Sequence, residues 1–329
     1  MLLLNGMKYN IICNPITTTT RMVFEAIIKS ERIHENYFLG LCALVGGDFV
    51  FLSADLKIYK VAPQIWIQSA TKKHSDIERT NCVFSLFLRI KFFLPTLRVS
   101  SVESRHFLYL QLRKSVLENQ IVCTDDDLIT LGGLALQAEV GDFKENVRIL
   151  PLNLLWIFIL IIFYFQMKYI EYFTISHYLP DGVYKQNKEL AKYLRNSHYS
   201  KRGLHQKEAE YNFIRYIQEM REYGVHYISG IWARDDKIEL NCYIGIGLNG
   251  IKIFERSNHT TNQVSRSKDK KKCTKRLLYE EFDWLEIENI CFSKQVLCVV
   301  VRKSNLRLNL GVKDKSSRLK FKLKMDSRK

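Results

Sequence analysis

The spacing of apolar and polar positions changes character along the chain, from short mixed runs through helical periodicity to strand-like alternation. Leu2 to Leu4 and Tyr9 to Cys13 flank Asn5-Gly6-Met7 as a predicted strand hairpin. Thr17 to Thr20 then predicts the cap of a helix burying Val23, Ala26 and Ile27. Tyr37 to Leu41 and Asp48 to Leu52 read as strands, and Leu56 to Lys60 as a further one that closes the unit. Ser69 to Asn81 is polar and reads as a linker, while Val83 to Leu94 alternates apolar residues around Arg89 and Lys91 before Pro95.

From Ser104 the period is helical. Leu108, Leu112 and Val116 recur every fourth position beside Phe107 and Leu117, with Ser104 as the predicted N-cap and a stop near Asn119. Thr124 and Asp127 have capping-box spacing, and Asp125 to Asp127 suit the positive end of a helix dipole. The helix that follows is predicted to bury Leu128, Leu131, Ala135 and Ala138 and to end at Gly141. Two helices joined this closely predict an antiparallel hairpin. His205 to Tyr223 carries Ala209, Phe213, Tyr216, Ile217 and Met220 as one stripe. Beyond Val225 seven apolar or alternating runs follow: Tyr227 to Ala233, Ile238 to Ile246, Ile251 to Phe254, Leu277 to Tyr279, Ile287 to Phe292, Gln295 to Arg302 and Leu319 to Met325. They predict a sandwich or partly open barrel.

Particular strings add identity to this pattern. Tyr109-Leu110-Gln111-Leu112-Arg113 followed by Leu134-Ala135-Leu136-Gln137-Ala138-Glu139-Val140-Gly141-Asp142-Phe143 resembles the central helical lobe of a FERM domain. Gly203 to Glu210, Glu222 to His226 and Phe282-Asp283-Trp284 are similar to later strings of that family. Tyr37 through Trp66 resembles its first lobe, with one departure: Phe38 is followed by Leu39 rather than by glycine.

The resemblance covers about 1 to 146 and 167 to 329, and it implies an α+β, three-lobed protein. A ubiquitin-like lobe would occupy 1–68, a linker 69–81, a helical bundle lobe 82–224, and a pleckstrin- or phosphotyrosine-binding-like β-barrel lobe 225–329. In this scheme Val83 to Leu94 is the extended approach to the helical lobe. The family's long last helix is not found before Lys329, so the third lobe is expected to be C-terminally truncated. Lys57-Ile58-Tyr59-Lys60, Gly250 to Phe254 and Leu277-Leu278-Tyr279 are similar to Willin-like members, and the phosphatase-linked members stand close behind.

Composition agrees with several cores: 329 residues at 47% hydrophobic and 26% charged. The net charge of +16 is concentrated near the C-terminus, where Arg256 to Lys329 holds 20 Lys and Arg against 8 Asp and Glu. Eight cysteines without CxxC spacing read as reduced packing thiols. Met1 to Leu4 is too short for a signal core, so a cytosolic chain is expected, with Asn258-His259-Thr260 an unused sequon.

Gly245 to Gly250 matches GxGxxG, but a strand-like run follows it instead of the helix that would receive a pyrophosphate, and Asn249-Gly250 is a hairpin pair. No zincin, P-loop, hydrolase-elbow or phosphatase-loop pattern is present, so the chain is read as non-enzymatic, without cofactor or metal. Lys268, Lys270, Lys271, Lys272, Lys275 and Arg276 form a basic run whose plain reading is a solvated loop. Its functional reading is attraction to acidic phospholipid. Nucleic acid is not expected, because aromatic and basic residues are not interleaved.

The resemblance implies a peptide groove along Ile287, Ile290 and Phe292. It also implies a module that binds cytoplasmic tails of membrane proteins or phosphoinositides, and links them to cortical cytoskeleton or junctional signalling at the inner face of the plasma membrane. Alternatives are the N-terminal targeting part of a tyrosine phosphatase and a single-span membrane protein.

The second alternative rests on Ile149 to Phe165, 17 residues without a charge, at the lower limit for crossing a bilayer. The segment falls where the resemblance implies a short soluble connection. Val147-Arg148 can be encoded as GTA-AGA and Phe165-Gln166 as TTT-CAG, so 147–166 also reads as a retained in-frame intron.

Overall fold

The computed structural model describes residues 1–71, 84–94, 99–143, 172–180, 183, 189–233, 239–256, 277–293, 296–302 and 318–325. The apolar insertion 147–166 and most of the linker 69–81 lie outside them. Two compact units form, Met1–Gln111 with Gln218–Lys329, and Leu112–Ile217.

In the first unit, helix α1 (Thr20–Ser30) is capped by Thr19, whose hydroxyl accepts from the Met22 N–H. It buries Thr20, Val23, Ile27 and Ile28, while Ala26 is exposed, contrary to expectation. The apolar stripe is broad enough for either face, and the neighbouring sheet decides which one turns inward. Strands β1 (Leu39–Val45), β2 (Asp48–Phe51) and β3 (Leu86–Ile90) form an antiparallel sheet in the order β2-β1-β3. Leu86–Ile90 pairs with Leu39–Ala43, so the stretch expected to lead into the helical lobe instead completes this N-terminal sheet.

Two further expectations change here. Leu2 bridges Lys8 across the Gly6 turn and lies parallel to Phe87, but Tyr9 to Cys13 forms no strand. Ile58–Lys60 is a single 3-10 turn, with only Lys57 bridging back to Thr19. Helix α2 (Gln64–Thr71) runs three residues beyond 68.

Helix α3 (Val102–Leu117) begins two residues earlier than its predicted cap. Ser101, not Ser104, receives the Ser104 N–H, and the Glu35 carboxylate takes the N–H groups of Ser100 and Ser101 at 2.8 and 3.1 Å. A distant carboxylate thus takes the two N–H groups that lead into this helix.

All seven C-terminal runs are strands: β4 (His226–Ala233), β5 (Glu239–Gly247), β6 (Gly250–Glu255), β7 (Leu278–Asp283), β8 (Ile287–Ser293), β9 (Val296–Arg302) and β10 (Arg318–Met325). They make one antiparallel sheet in the order β7-β6-β5-β4-β10-β9-β8, with β7 and β8 at its two edges rather than joined into a closed barrel. Trp232, Cys242, Ile244, Ile251, Ile253, Phe282, Val299 and Val301 form its core.

The second unit contains the end of α3, α4 (Asp125–Val140), α5 (Leu190–Tyr199) and nearly all of α6 (Gln206–Gln218). The predicted capping box is formed, with Thr124 N–H donating to Asp127 at 2.8 Å and Asp127 N–H to the Thr124 hydroxyl at 3.2 Å. Gly141 closes α4 at φ 80°. Helix α4 packs closely against α5, and it is also joined to α3, where Arg113 pairs with Glu139 at 2.6 Å. Gly132 and Gly133 permit the approach of α5: a Cβ on Gly133 would stand 2.2 Å from the Ser197 hydroxyl, and one on Gly132 would stand 2.4 Å from Leu194 Cδ1.

Candidate functional site

Sheet edges are where an extended partner can add a strand, so the two edges of the seven-stranded sheet are the first places to look. They differ in chemistry. Along β7, Glu281 stands opposite Lys252 and accepts from its ammonium at 2.8 Å, and Arg221 adds a contact at 3.1 Å. The Lys252 hydrogen bond, assisted by the charges of Lys252 and Arg221, outweighs partial burial and holds the Glu281 carboxyl below its ordinary range. This is a charged edge, of the kind that discourages pairing.

The β8 edge mixes polar Glu288, Asn289 and Ser293 with apolar residues that share one face. Its register shifts between Ile287 and Asn289, and this bulge brings Ile287, Ile290 and Phe292 into phase, opposite Val301, Val299 and Leu297 respectively. Residues opposite one another in an antiparallel pair share a face, so all three point to the core side of the sheet. Ile287 packs against the core, but Ile290 remains 44% and Phe292 68% exposed. Without the bulge, Ile287 would face away from the other two, because strand side chains alternate. An apolar strip beside an edge free on one side, among the described residues, can take a peptide backbone along β8 and its side chains against Ile290 and Phe292.

Other candidate features resolve differently. Lys268, Lys270, Lys271, Lys272, Lys275 and Arg276 lie outside the described residues, between β6 and β7. The GxGxxG pattern is strand, turn and strand; the turn residues are Leu248 and Asn249, and Gly247 pairs with Gly250. A Cβ at Gly250 would stand 1.9 Å from the Phe282 carbonyl, so this glycine serves close strand approach.

Asp127 is held in the capping box and by the Tyr216 hydroxyl at 2.7 Å. Burial works to raise its pKa, but the bonds from Thr124 and Tyr216 prevail and lower it. Among the described residues no group of three or more His, Cys, Asp or Glu is placed to hold a metal ion, and no helix is long and apolar enough to cross a membrane. Cys42 and Cys242 are buried free thiols, pushed up by burial to about 12 and about 11.

Residues 96–227 match the family model of the FERM central domain. The chain is 30% identical over 302 residues to tyrosine-protein phosphatase non-receptor type 13 of Homo sapiens, which covers 90% of this chain and 10% of that protein. It is also 30% identical over 258 residues to FERM and PDZ domain-containing protein 2 of Mus musculus, covering 78% of this chain and 17% of that protein. The chain therefore spans a small part of the length of the curated relatives it matches.

Among solved structures, the FERM and C-terminal domain complex of Drosophila Merlin superposes with a TM-score of 0.59 at 14% identity, over 96% of this chain and 85% of that one. The MyTH4-FERM MF2 domain of Dictyostelium discoideum Myosin VII gives 0.63 at 13%, over 99% and 55%.

Proposed function

We propose, since this chain belongs to the FERM family, that it is a non-catalytic binding module whose β8 edge receives an extended peptide from the cytoplasmic tail of a membrane protein. The observation that carries this reading is the strip of Ile290 and Phe292, exposed on the core side of an edge strand. Main-chain bonds along β8 would supply affinity, and the strip would select a bulky apolar side chain at alternate positions. The basic run Lys268 to Arg276 would add attraction to acidic phospholipid, about 1 kcal/mol per basic residue near an anionic surface. Such a module acts at the inner face of the plasma membrane or the cell cortex, joining tails to cytoskeletal or junctional proteins. A related domain, the MyTH4-FERM domain of human Myosin 7b, has been solved in complex with the harmonin-a PDZ3 domain, a protein partner.

Calorimetric titration of the full chain with synthetic peptides spanning receptor cytoplasmic tails tests the peptide site. Phe292→Asp should abolish binding of the tail peptides held at the β8 edge. Undiminished binding by that variant would remove β8 as the site. For the lipid contribution, replacing Lys270, Lys271, Lys272 and Lys275 by Gln should weaken binding to phosphoinositide vesicles at low salt more than at physiological salt, where exposed charges are screened within about 8 Å.

A second reading is favoured by the 30% identity to a tyrosine phosphatase, namely that the chain is the non-catalytic targeting part of such an enzyme. Transcript sequence 3′ of the Lys329 codon decides it: a Cys-containing phosphatase loop would support this reading, and its absence would leave the scaffold reading.

A further inference from the structure

Between α1 and the start of β1 lies a cleft of about 770 Å³. Ile28, Ile33, Leu39 and Leu41 line it and are buried, which makes its floor apolar. Lys29, Arg32 and Lys91 line it as well; the first two are exposed and the third half-buried. None of these three cations forms an ion pair with a carboxylate of the described residues, whereas Arg21, also on the rim, is held by Asp55 at 3.2 Å. Glu25 is a carboxylate of the same rim, so three cations without an ion pair stand against one carboxylate, and the rim keeps a positive excess over an apolar floor.

Two backbone features bring that charge to the cleft. Arg32 follows the cap of α1 with φ 55°, and the Ile33 N–H reaches back to the Ile28 carbonyl at 3.0 Å. This left-handed position usually belongs to glycine, because a Cβ there crowds the backbone. An arginine at this point sacrifices stability while setting a guanidinium at the mouth. At Gly40, a Cβ would stand 3.1 Å from Lys91 Cδ and 3.0 Å from Phe51 Cδ1, so the glycine leaves the space that the lysine stem crosses.

We infer that this cleft docks an acidic peptide segment bearing a bulky apolar side chain. The side chain covers the floor while carboxylates meet Lys29, Arg32 and Lys91. A lipid headgroup satisfies the rim alone and leaves the floor without an apolar partner, so the combination selects peptide. The volume lies within the range of roughly 300–1,000 Å³ typical of ligand sites. The site is separate from the β8 edge and does not depend on it.

The test is fluorescence anisotropy of the full chain carrying Phe292→Asp, which disables the β8 edge, with three labelled peptides of equal length, alternating Glu with Phe, Glu with Ser, and Lys with Phe. The Glu and Phe peptide should bind about tenfold or more tightly than either control, and binding should weaken with salt. Arg32→Gly removes a charge and relieves the positive φ, so it should lower affinity up to about fivefold while leaving the thermal transition unchanged or higher. Lys29→Gln should act alike. Four results would each overturn the proposal: no binding of the Glu and Phe peptide, equal binding of the Glu and Ser peptide, its displacement by phosphoinositide vesicles in the Phe292→Asp background, or unchanged affinity at low salt when Arg32→Gly and Lys29→Gln are combined.

Discussion

The Asp48 carboxylate accepts hydrogen bonds from both the backbone N–H and the hydroxyl of Ser229, at 3.0 and 3.2 Å, and so ties β2 to β4 across 181 positions of sequence. Both groups are partly buried, and bonds to an ionised acceptor are worth about 1.5–3 kcal/mol. Asp48→Ala should therefore lower the unfolding free energy measured by urea titration by an amount in that range, and Ser229→Ala by less, since the backbone N–H still donates. A double-mutant cycle should show the two effects to be strongly non-additive. Simple additivity would mean that the pair is not coupled.

The contact between α4 and α5 predicts an unequal pair of glycine substitutions. An added methyl gains about 1 kcal/mol of helix propensity at either site, against an overpacking cost of about 1–3 kcal/mol. At Gly132 it meets the tip of Leu194, which can rotate away; at Gly133 it meets Ser197 Oγ and, at 3.0 Å, the Ser197 backbone. Gly133→Ala should destabilise the helical unit clearly, and Gly132→Ala little. Proteolytic susceptibility of α5 under mild urea reads the difference, and equal susceptibility of the two variants would refute the packing argument.

Buried His198 and half-buried His226 set an acid limit. His198 Nε2–H donates to the Gly141 carbonyl at 2.8 Å, and its Nδ1 pairs with the Tyr172 hydroxyl at 2.6 Å. His226 Nε2–H donates to the Lys91 carbonyl at 2.9 Å between the rings of Phe51 and Phe93. Burial lowers both from 6.5, although the carbonyl bonds, and for His198 the Asp142 charge, pull the other way. The unfolded chain thus takes up protons near 6.5 that the folded chain resists, so this stability is whole above that pH and lost as pH falls through the depressed folded values. Asp127 and Glu281, lowered from 3.8 and 4.5, lose theirs only in a more acid window. Urea midpoints should be flat above pH 7 and decline as pH falls below about 6.5. A profile that stays flat below that pH would contradict the assignment, and imidazole resonances titrating at their ordinary value would do the same.

Much of this fold is local and was therefore readable residue by residue. The Thr124 to Asp127 capping box and the stop at Gly141 involve groups within one turn of each other, so composition and spacing suffice to place them. The seven C-terminal strands follow from alternation broken by turn residues, which any isolated stretch displays. Even Ile287, Ile290 and Phe292 stand out as apolar positions, although the bulge that sets them on one face is a property of the β8–β9 pairing.

Tertiary structure decided what depends on partners distant in sequence. Leu86–Ile90 alternates like any strand, and only its pairing with Leu39–Ala43 assigns it to the first sheet. Ala26 and Ile28 both suit an amphipathic helix, and the side on which the sheet lies left one exposed and the other buried. Leu56 to Lys60 has strand-like composition but, among the described residues, gains only one bridge there, so the chain tightens into a 3-10 turn at Ile58–Lys60. The Glu35 contact ahead of α3, the Asp48–Ser229 tie, and the cleft that gathers Lys29, Arg32 and Lys91 over an apolar floor have no signature in spacing. Each joins segments that local propensity treats as independent, and the cost in chain entropy of bringing them together is met only when the whole core forms.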